Sequence, residues 1–313
     1  MKILFTGASS FSGLWFVETL AARGHTLVTP LQRSKTEYEG IRKTRVQRLK
    51  NCSKKIFDCP FGSLLFLSLL EQEGPFDLIC HHAANVTDYK SHTFDFVGAL
   101  ESNTLSINLF FEQLKAQKCQ KLLLTGSLFE QREGLSSSGN QAVSPYGLSK
   151  GLTSDVFSYY SALHGIKLGK FVIPNPFGPY EEARFTTYLA NSWLHKKSAN
   201  VTFPEYLRDN IPVSLLAKSY AAFAESLTSE TGFSKLSPSF RPESQGAFVQ
   251  YFAKEMHSRL NVPCEYTLQK QIDFSEPKVR INCDPIDPEA LGWNEASAWD
   301  ALAEFYLQTL SPK

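Results

Sequence analysis

The chain has 313 residues, with 32 Lys and Arg against 31 Asp and Glu for a formal charge of +1. That length suits one large domain or two modest ones, and 42% apolar residues fit a globular core rather than a disordered chain. The balanced charge argues against a nucleic-acid partner or a membrane surface, both of which call for a concentrated basic field.

Residues 2–6 read as a short apolar strand ending at Gly7, and 12–23 carry a helical pattern closed by Gly24-His25. Residues 27–31 read as a second strand, so the chain opens on a βαβ unit. The basic, poorly periodic stretch 33–55 reads as surface. A short strand at 55–57, a buried helix at 61–72 and a strand at 77–81 follow. Helical spacing returns over 94–117, then a strand over 121–125, a polar loop over 130–140, a helix over 145–164 and a strand over 167–173. This alternation predicts an α/β, doubly wound parallel sheet of the Rossmann kind. After Pro174 the rhythm breaks. Residues 1–174 are therefore expected to form the dinucleotide-binding domain, with a helix at 213–229 returning to it. Residues 175–313 are expected to be a smaller, mainly substrate-binding region.

The opening run before Gly7 is too short for a signal-peptide core, and Phe61–Leu70 is half of what a bilayer crossing needs. The six cysteines (Cys52, Cys59, Cys80, Cys119, Cys264, Cys283) show no C-x-x-C spacing. They read as reduced thiols, and a soluble cytoplasmic protein is expected.

Three features carry chemistry. The first is the turn Thr6-Gly7-Ala8-Ser9-Ser10-Phe11-Ser12-Gly13, placed between the first strand and the first helix. Glycines there let backbone N–H groups and the helix N-terminus approach a pyrophosphate, although Ser10 stands where the middle glycine is usual. The second is Tyr146 and Lys150, four residues apart on one helical face, where an ammonium beside a phenol favours the phenolate. Tyr266 and Lys270 share that spacing without a neighbouring strand and serine. The third is Thr125-Gly126-Ser127 at the carboxyl end of a predicted strand, where ligands sit in doubly wound sheets. His81 and His82 are adjacent on a strand and point to opposite faces, and no H-E-x-x-H is present, so no metal site is expected.

In this order the motifs resemble an extended short-chain dehydrogenase/reductase of the NAD-dependent epimerase/dehydratase branch, which includes UDP-galactose 4-epimerase. Asp58 after the third strand, His82-Ala83-Ala84 after the fourth and Asn103 in the next helix fit the same pattern. So do Pro174-Asn175-Pro176-Phe177-Gly178-Pro179, Arg208-Asp209-Asn210-Ile211-Pro212-Val213, Arg280 and Leu291-Gly292-Trp293. The resemblance implies that Tyr146 is the general acid/base. Lys150 would bind the nicotinamide ribose and lower the tyrosine pKa, and Ser127 would orient the substrate oxygen, with Thr125 as the other candidate. Gly7, Ser10, Phe11, Ser12 and Gly13 would line the pyrophosphate, Asp58 would meet adenine, and Ala83, Ala84 and Asn103 would lie along the cofactor. Asn175, Arg208 and Arg280 would face the substrate, Arg208 being suited to a diphosphate by its bidentate fork.

Two departures shape the expected activity. Leu31-Gln32-Arg33 replaces the acid that ends the second strand, and Arg33 suits a 2′-phosphate, which favours NADP over NAD; Arg33 and Lys35 as solvated surface charges is the other reading. Ser214-Leu215-Leu216 replaces the later aspartate of the R-D-F-x-x-V-x-D-V segment. The expected function is a nucleotide-sugar 4-keto reductase or 4-epimerase, in a homodimer paired through helices 94–117 and 145–164. A 4,6-dehydratase using Glu130 (set one position too far along), a reductase of a non-nucleotide carbonyl compound and a non-catalytic NADPH sensor are the alternatives.

Overall fold

The computed structural model describes residues 1–137, 139–228, 230 and 232–311. In chain order the elements begin β1 (Lys2–Thr6), α1 (Phe11–Ala22), β2 (Thr26–Pro30), α2 (Gly40–Arg48), β3 (Lys54–Ile56), α3 (Leu64–Glu73) and β4 (Leu78–His81). They continue α4 (Phe96–Asn103), α5 (Ile107–Ala116), β5 (Lys121–Ser127), β6 (Leu135–Ser136), α6 (Pro145–His164), β7 (Lys167–Ile173), β8 (Asn175–Phe177), α7 (Phe185–Leu194), β9 (Ala199–Val201) and β10 (Leu207–Pro212). The last are α8 (Val213–Ser226), β11 (Phe233–Leu236), β12 (Pro238–Ser239), β13 (Pro242–Ser244), α9 (Gln245–Leu260), β14 (Tyr266–Leu268), β15 (Val279–Ile281), β16 (Asp284–Pro285) and α10 (Glu295–Leu310).

The described residues fall into two compact units. The first comprises Met1–Glu133, Asn140–Ile173 and Ala217–Ser237; the second comprises Gly134–Gly139, Pro174–Leu216 and Pro238–Lys313. The first unit is built on a seven-stranded sheet in the order β11-β7-β5-β4-β1-β2-β3. Every pairing in it is parallel. From β1 the order runs outward to β2 and β3, and from β4 the other way, so the switch point lies between β1 and β4. Their last paired residues are Thr6 and His81. Helices cover both faces, which is why strands such as Leu122-Leu123-Leu124 are apolar without alternation. One face carries Phe61, Phe66, Phe110, Phe111 and Phe157 in a single cluster. The other carries Phe5, Phe171 and the stacked pair Phe16–Tyr220, whose ring centroids are 4.0 Å apart.

The second unit has a sheet in the order β13-β10-β15-β6, with β8 pairing β10. Helices α7, α9 and α10 share a core of Trp193, Phe248, Phe252, Met256 and Trp299.

Several expectations are corrected. The single helix over 94–117 is two, because Ser106 takes a left-handed φ of +53° and the Thr104 hydroxyl donates to Leu100 O at 2.7 Å, ending α4. The stretch 33–55 is not simple surface: it forms α2, with Arg45 and Val46 buried. The loop 130–140 contains β6, which pairs with β15. The helix expected over 213–229 ends at Ser226, and position 229 lies outside the described residues. Strand β11 has no counterpart in the sequence reading.

Candidate active site

The first unit gathers most of the candidate residues at the carboxyl ends of β1, β4 and β5. Gly7 has φ +77°, and a Cβ there would lie 2.7 Å from the Ala83 backbone nitrogen. Glycine is therefore needed for both conformation and space. Thr6 fixes the crossing from beneath: its Oγ1 accepts the N–H groups of His82 and Ala83 at 3.1 and 3.0 Å. A Cβ on Gly13 would come within 2.3 Å of Gly7 O, so the first turn of α1 packs directly on the glycine turn. Ser10 caps α1. Its Oγ accepts the Gly13 N–H at 3.1 Å and donates to Gly7 O at 2.8 Å, which turns the hydroxyl inward. Phe11 is buried behind the cap, Ser12 stands in the first turn, and no acidic residue neutralises that end of the helix. A cradle closed to side chains at Gly7 and Gly13, at a helix N-terminus with no acidic side chain in its first turn, fits the diphosphate of a dinucleotide.

At the ends of β2 and β3, Arg33 and Asp58 are both exposed and meet through the Asp58 N–H, which donates to Arg33 O at 3.2 Å. Arg45 had no place in the sequence reading. It is fully buried, with Nη1 3.5 Å from Ser9 O behind the glycine turn. Asn103 is also buried. Its Oδ1 accepts the Asn85 N–H at 3.0 Å and its Nδ2 donates to Thr153 Oγ1 at 3.3 Å, so it secures the segment after Ala83-Ala84 against α6.

Helix α6 begins with a Ser144 cap and Pro145, and places Tyr146 and Lys150 one turn apart. Lys150 is buried, and its Nζ donates to Thr125 O at 2.7 Å. Burial pulls its pKa down, against the opposing pull of Glu130. The half-buried Tyr146 ring is met edge-on by Tyr89, Phe94 and Phe129, with centroids 5.5, 5.8 and 6.2 Å away. Ser127, at the end of β5, accepts the Phe129 N–H on its Oγ at 3.2 Å. The Thr125 hydroxyl is committed elsewhere, 3.0 Å from His82 Nδ1.

Glu130 is turned into the interior. Its Oε1 accepts the Ser127 N–H at 2.7 Å and its Oε2 lies 2.6 Å from Lys170 Nζ. Lys170 also meets Glu133 at 2.7 Å, and Glu133 meets Lys235 at 3.0 Å. Burial alone would lower the Lys170 pKa, but the two carboxylates outweigh it and raise it. Gly126 makes room for this pair, since a Cβ there would lie 2.7 Å from Lys170 Cε.

The adjacent histidines part as strand geometry requires. His81 stacks on Phe157 at 4.9 Å and its Nδ1 meets Thr6 Oγ1 at 3.1 Å, whereas His82 packs against Phe5 and Phe16. Burial, reinforced by the Lys150 charge, pushes both pKa values down to about 3, so both rings are neutral. Among the described residues, no group of three or more His, Cys, Asp or Glu stands close enough to share a metal ion.

In the second unit one sheet carries all three expected substrate residues. Arg208 and Arg280 are register partners on β10 and β15, and Asn175 on β8 is the partner of Asn210, whose Oδ1 accepts its Nδ2 at 2.5 Å. Arg208 is already engaged. Nη1 donates to the carbonyl oxygens of Leu207, Pro277 and Lys278 at 2.8, 3.1 and 3.1 Å, and Nη2 pairs with Glu276 at 3.1 Å. Arg280 is buried, and desolvation, against the pull of Glu276 and with Arg208 nearby, pushes its pKa down to about 10. Tyr266 lies on β14, where a spacing of four does not bring it over Lys270 as a helix would.

The topology, the glycine cradle at the switch point and the tyrosine–lysine helix define a dinucleotide-binding enzyme fold of the short-chain dehydrogenase/reductase type. The model of the NAD dependent epimerase/dehydratase family matches residues 3–227, and the chain belongs to that family. Among solved structures it is similar to UDP-glucose 4-epimerase of Thermotoga maritima with UDP-glucose, at 16% identity over 99% of this chain and 100% of that one, TM-score 0.74. It is also similar to UDP-glucuronic acid 4-epimerase of Bacillus cereus in complex with UDP-glucuronic acid and NAD, at 17% identity over 98% and 99%, TM-score 0.72. A third is the Thermus thermophilus UDP-glucose 4-epimerase complex with NAD, at 16% identity over 99% and 100%, TM-score 0.71. No curated protein matches the sequence. Among the described residues no helix is long and apolar enough to cross a membrane.

Proposed function

We propose that this chain is a nicotinamide-dependent enzyme acting at C4 of a nucleotide sugar, as a 4-epimerase or a 4-keto reductase. The observation that carries the reading is Lys150, fixed to Thr125 O on the helix that bears Tyr146, beside Ser127 and across from the glycine cradle. Gly7, Ser10, Phe11, Ser12 and Gly13 would hold the diphosphate, Ala83 and Ala84 the adjoining cofactor surface, Arg33 and Asp58 the adenosine end, and Lys150 the nicotinamide ribose. Asn103 serves the same pocket through the Asn85 segment. Bound there, the nicotinamide supplies the exchange of hydride with the sugar carbon. Tyr146 takes or returns the hydroxyl proton, the Lys150 ammonium lowers the cost of the phenolate, and Ser127 orients the oxygen. Asn175, Arg208 and Arg280 would meet the substrate.

The family is NAD-dependent, and two of the neighbours above are complexes with NAD. Arg33 is the feature that favours a 2′-phosphate, and with it a reductase consuming NADPH. Glu130 argues against a dehydratase, because both its oxygens are committed to Ser127 and Lys170. A second reading, a reductase of a non-nucleotide carbonyl compound, draws on the engagement of Arg208 with three carbonyls and Glu276. We also place a homodimer contact on α5 and α6, which expose Leu109, Tyr159 and Leu163. Cytoplasmic placement is the reading that six cysteines without C-x-x-C spacing favour.

The test is fluorescence titration of the purified protein with NADH and NADPH, followed by turnover of UDP-glucose and of a 4-keto nucleotide sugar. Binding of a nicotinamide nucleotide, with Tyr146→Phe keeping that binding while turnover falls about a thousandfold, is expected. Binding of neither nucleotide overturns the reading. A preference for NADPH that vanishes in Arg33→Ala marks the reductase, and NAD retained through purification marks the epimerase.

A further inference from the structure

Ser10 stands where the turn usually has glycine, and the ring beneath it is His82. Ser10 Oγ has one proton and two lone pairs. Gly7 O, 2.8 Å away, can only accept, so it receives the proton, while one lone pair takes the Gly13 N–H at 3.1 Å. Towards His82 Nε2, 3.0 Å away, only a lone pair remains. Nε2 therefore carries the ring proton, with Ser12 Oγ as a second acceptor at 3.2 Å. Nδ1 is left bare and accepts from Thr125 Oγ1 at 3.0 Å. The same Thr125 receives Lys150 Nζ on its carbonyl oxygen at 2.7 Å. Phe5 and Phe16, the rings that flank His82, offer it no other polar partner.

We propose that His82 is a positioning residue: a neutral Nε2–H imidazole that pins the Ser10 hydroxyl beneath the turn and ties the turn to the strand residue anchoring Lys150. The assignment rests on the reading of this turn as the diphosphate cradle. A glycine would leave that backbone bare for the ligand; here a serine does so because His82 holds its side chain down. Neutrality matters as well, since a charged ring would stand near the Lys150 ammonium. The lock and the lysine anchor share one residue, so the two ends of the dinucleotide site are set relative to each other through Thr125.

The experiment is a double-mutant cycle on dinucleotide binding, with the unliganded melting temperature and histidine 15N spectra read on the same proteins. His82→Leu is expected to weaken NADH or NADPH binding about tenfold by releasing both serine hydroxyls. Adding Ser10→Gly is expected to restore most of that loss, because no hydroxyl is left to restrain. In the unliganded parent the His82 ring should read as neutral with Nε2 protonated at pH 6, and that signal should move in Ser10→Gly. Equal cost of His82→Leu in both backgrounds, or a ring protonated on Nδ1 or on both nitrogens, overturns the proposal. If His82→Leu does not fold, the spectra of the parent and of Ser10→Gly decide it. Failure of the parent to bind either nucleotide overturns the functional reading itself, whereas binding with additive substitutions overturns only the role of His82.

Discussion

The two units treat buried charge in opposite ways. In the first, Lys170 lies between Glu130 and Glu133, and Glu133 reaches on to Lys235, so this cluster of buried charges meets its opposites at hydrogen-bonding distance. The candidate ligand cradle of that unit is made of neutral groups: backbone N–H, serine hydroxyls and an uncharged imidazole. In the second unit, Arg208 and the buried Arg280 are register partners of like sign. Glu181 is buried there, with the Thr186 hydroxyl at 3.2 Å and Arg184 at 3.7 Å, and burial pushes its pKa up to about 7. Opposite charges in contact hold a site rigid; like charges side by side leave a state that an anionic ligand would relieve, and a carboxylate buried away from water leaves one that a proton would relieve.

That contrast can be broken most directly at Lys170. Lys170→Met strands the buried Glu130 carboxylate and leaves Glu133 with Lys235 alone, and should cost about 3–5 kcal/mol in urea unfolding. A cost under about 1 kcal/mol would mean that the first unit does not depend on its pairing.

Glu181 sharpens the other half. Its folded pKa, about 7, lies above its ordinary 4.5, so the folded state binds the extra proton. Its contribution is complete below the ordinary value and lost as pH rises through about 7. Glu181→Gln should therefore stabilise the protein by on the order of 2 kcal/mol at pH 8 and by nothing near pH 4.5, seen as two melting curves that converge on acidification. Curves that stay parallel would remove Glu181 from the comparison.

The smallest expected effect is at Arg280. Arg280→Met should raise KM for a UDP-sugar about tenfold while dinucleotide affinity stays unchanged. A drop in stability like that of Lys170→Met would show that the second unit's arginines are scaffold.

Much of the first unit was legible in the sequence because its signals are local. Strand β7 and helix α6 span the predicted residues, since apolar runs and a Ser144-Pro145 start leave little choice. Gly7 and Gly13 were readable because only glycine suits their turn and close approach. The paired strands of the second unit were not, because β8, β10 and β15 are three to six residues long and acquire their register only from one another. Helix α2 escaped for the opposite reason: its sequence, Gly-Ile-Arg-Lys-Thr-Arg-Val-Gln-Arg, hides a buried arginine in a basic, non-periodic run. His82 was visible as a residue of the turn's neighbourhood, but its partners, Ser10, Ser12 and Thr125, are set by tertiary packing.

Gly126 has a historical consequence. With Lys170 in place, a Cβ at 126 would sit 2.7 Å from the lysine Cε, so any side chain there pushes the end of Lys170 aside. A lineage carrying this lysine can place a serine or alanine beside Ser127 only by displacing the end of Lys170 from its carboxylates, and replacing Lys170 first leaves Glu130 without its cation. The two positions can change together or by way of a weakened intermediate, so the order of substitutions open to this enzyme is narrowed by one methylene.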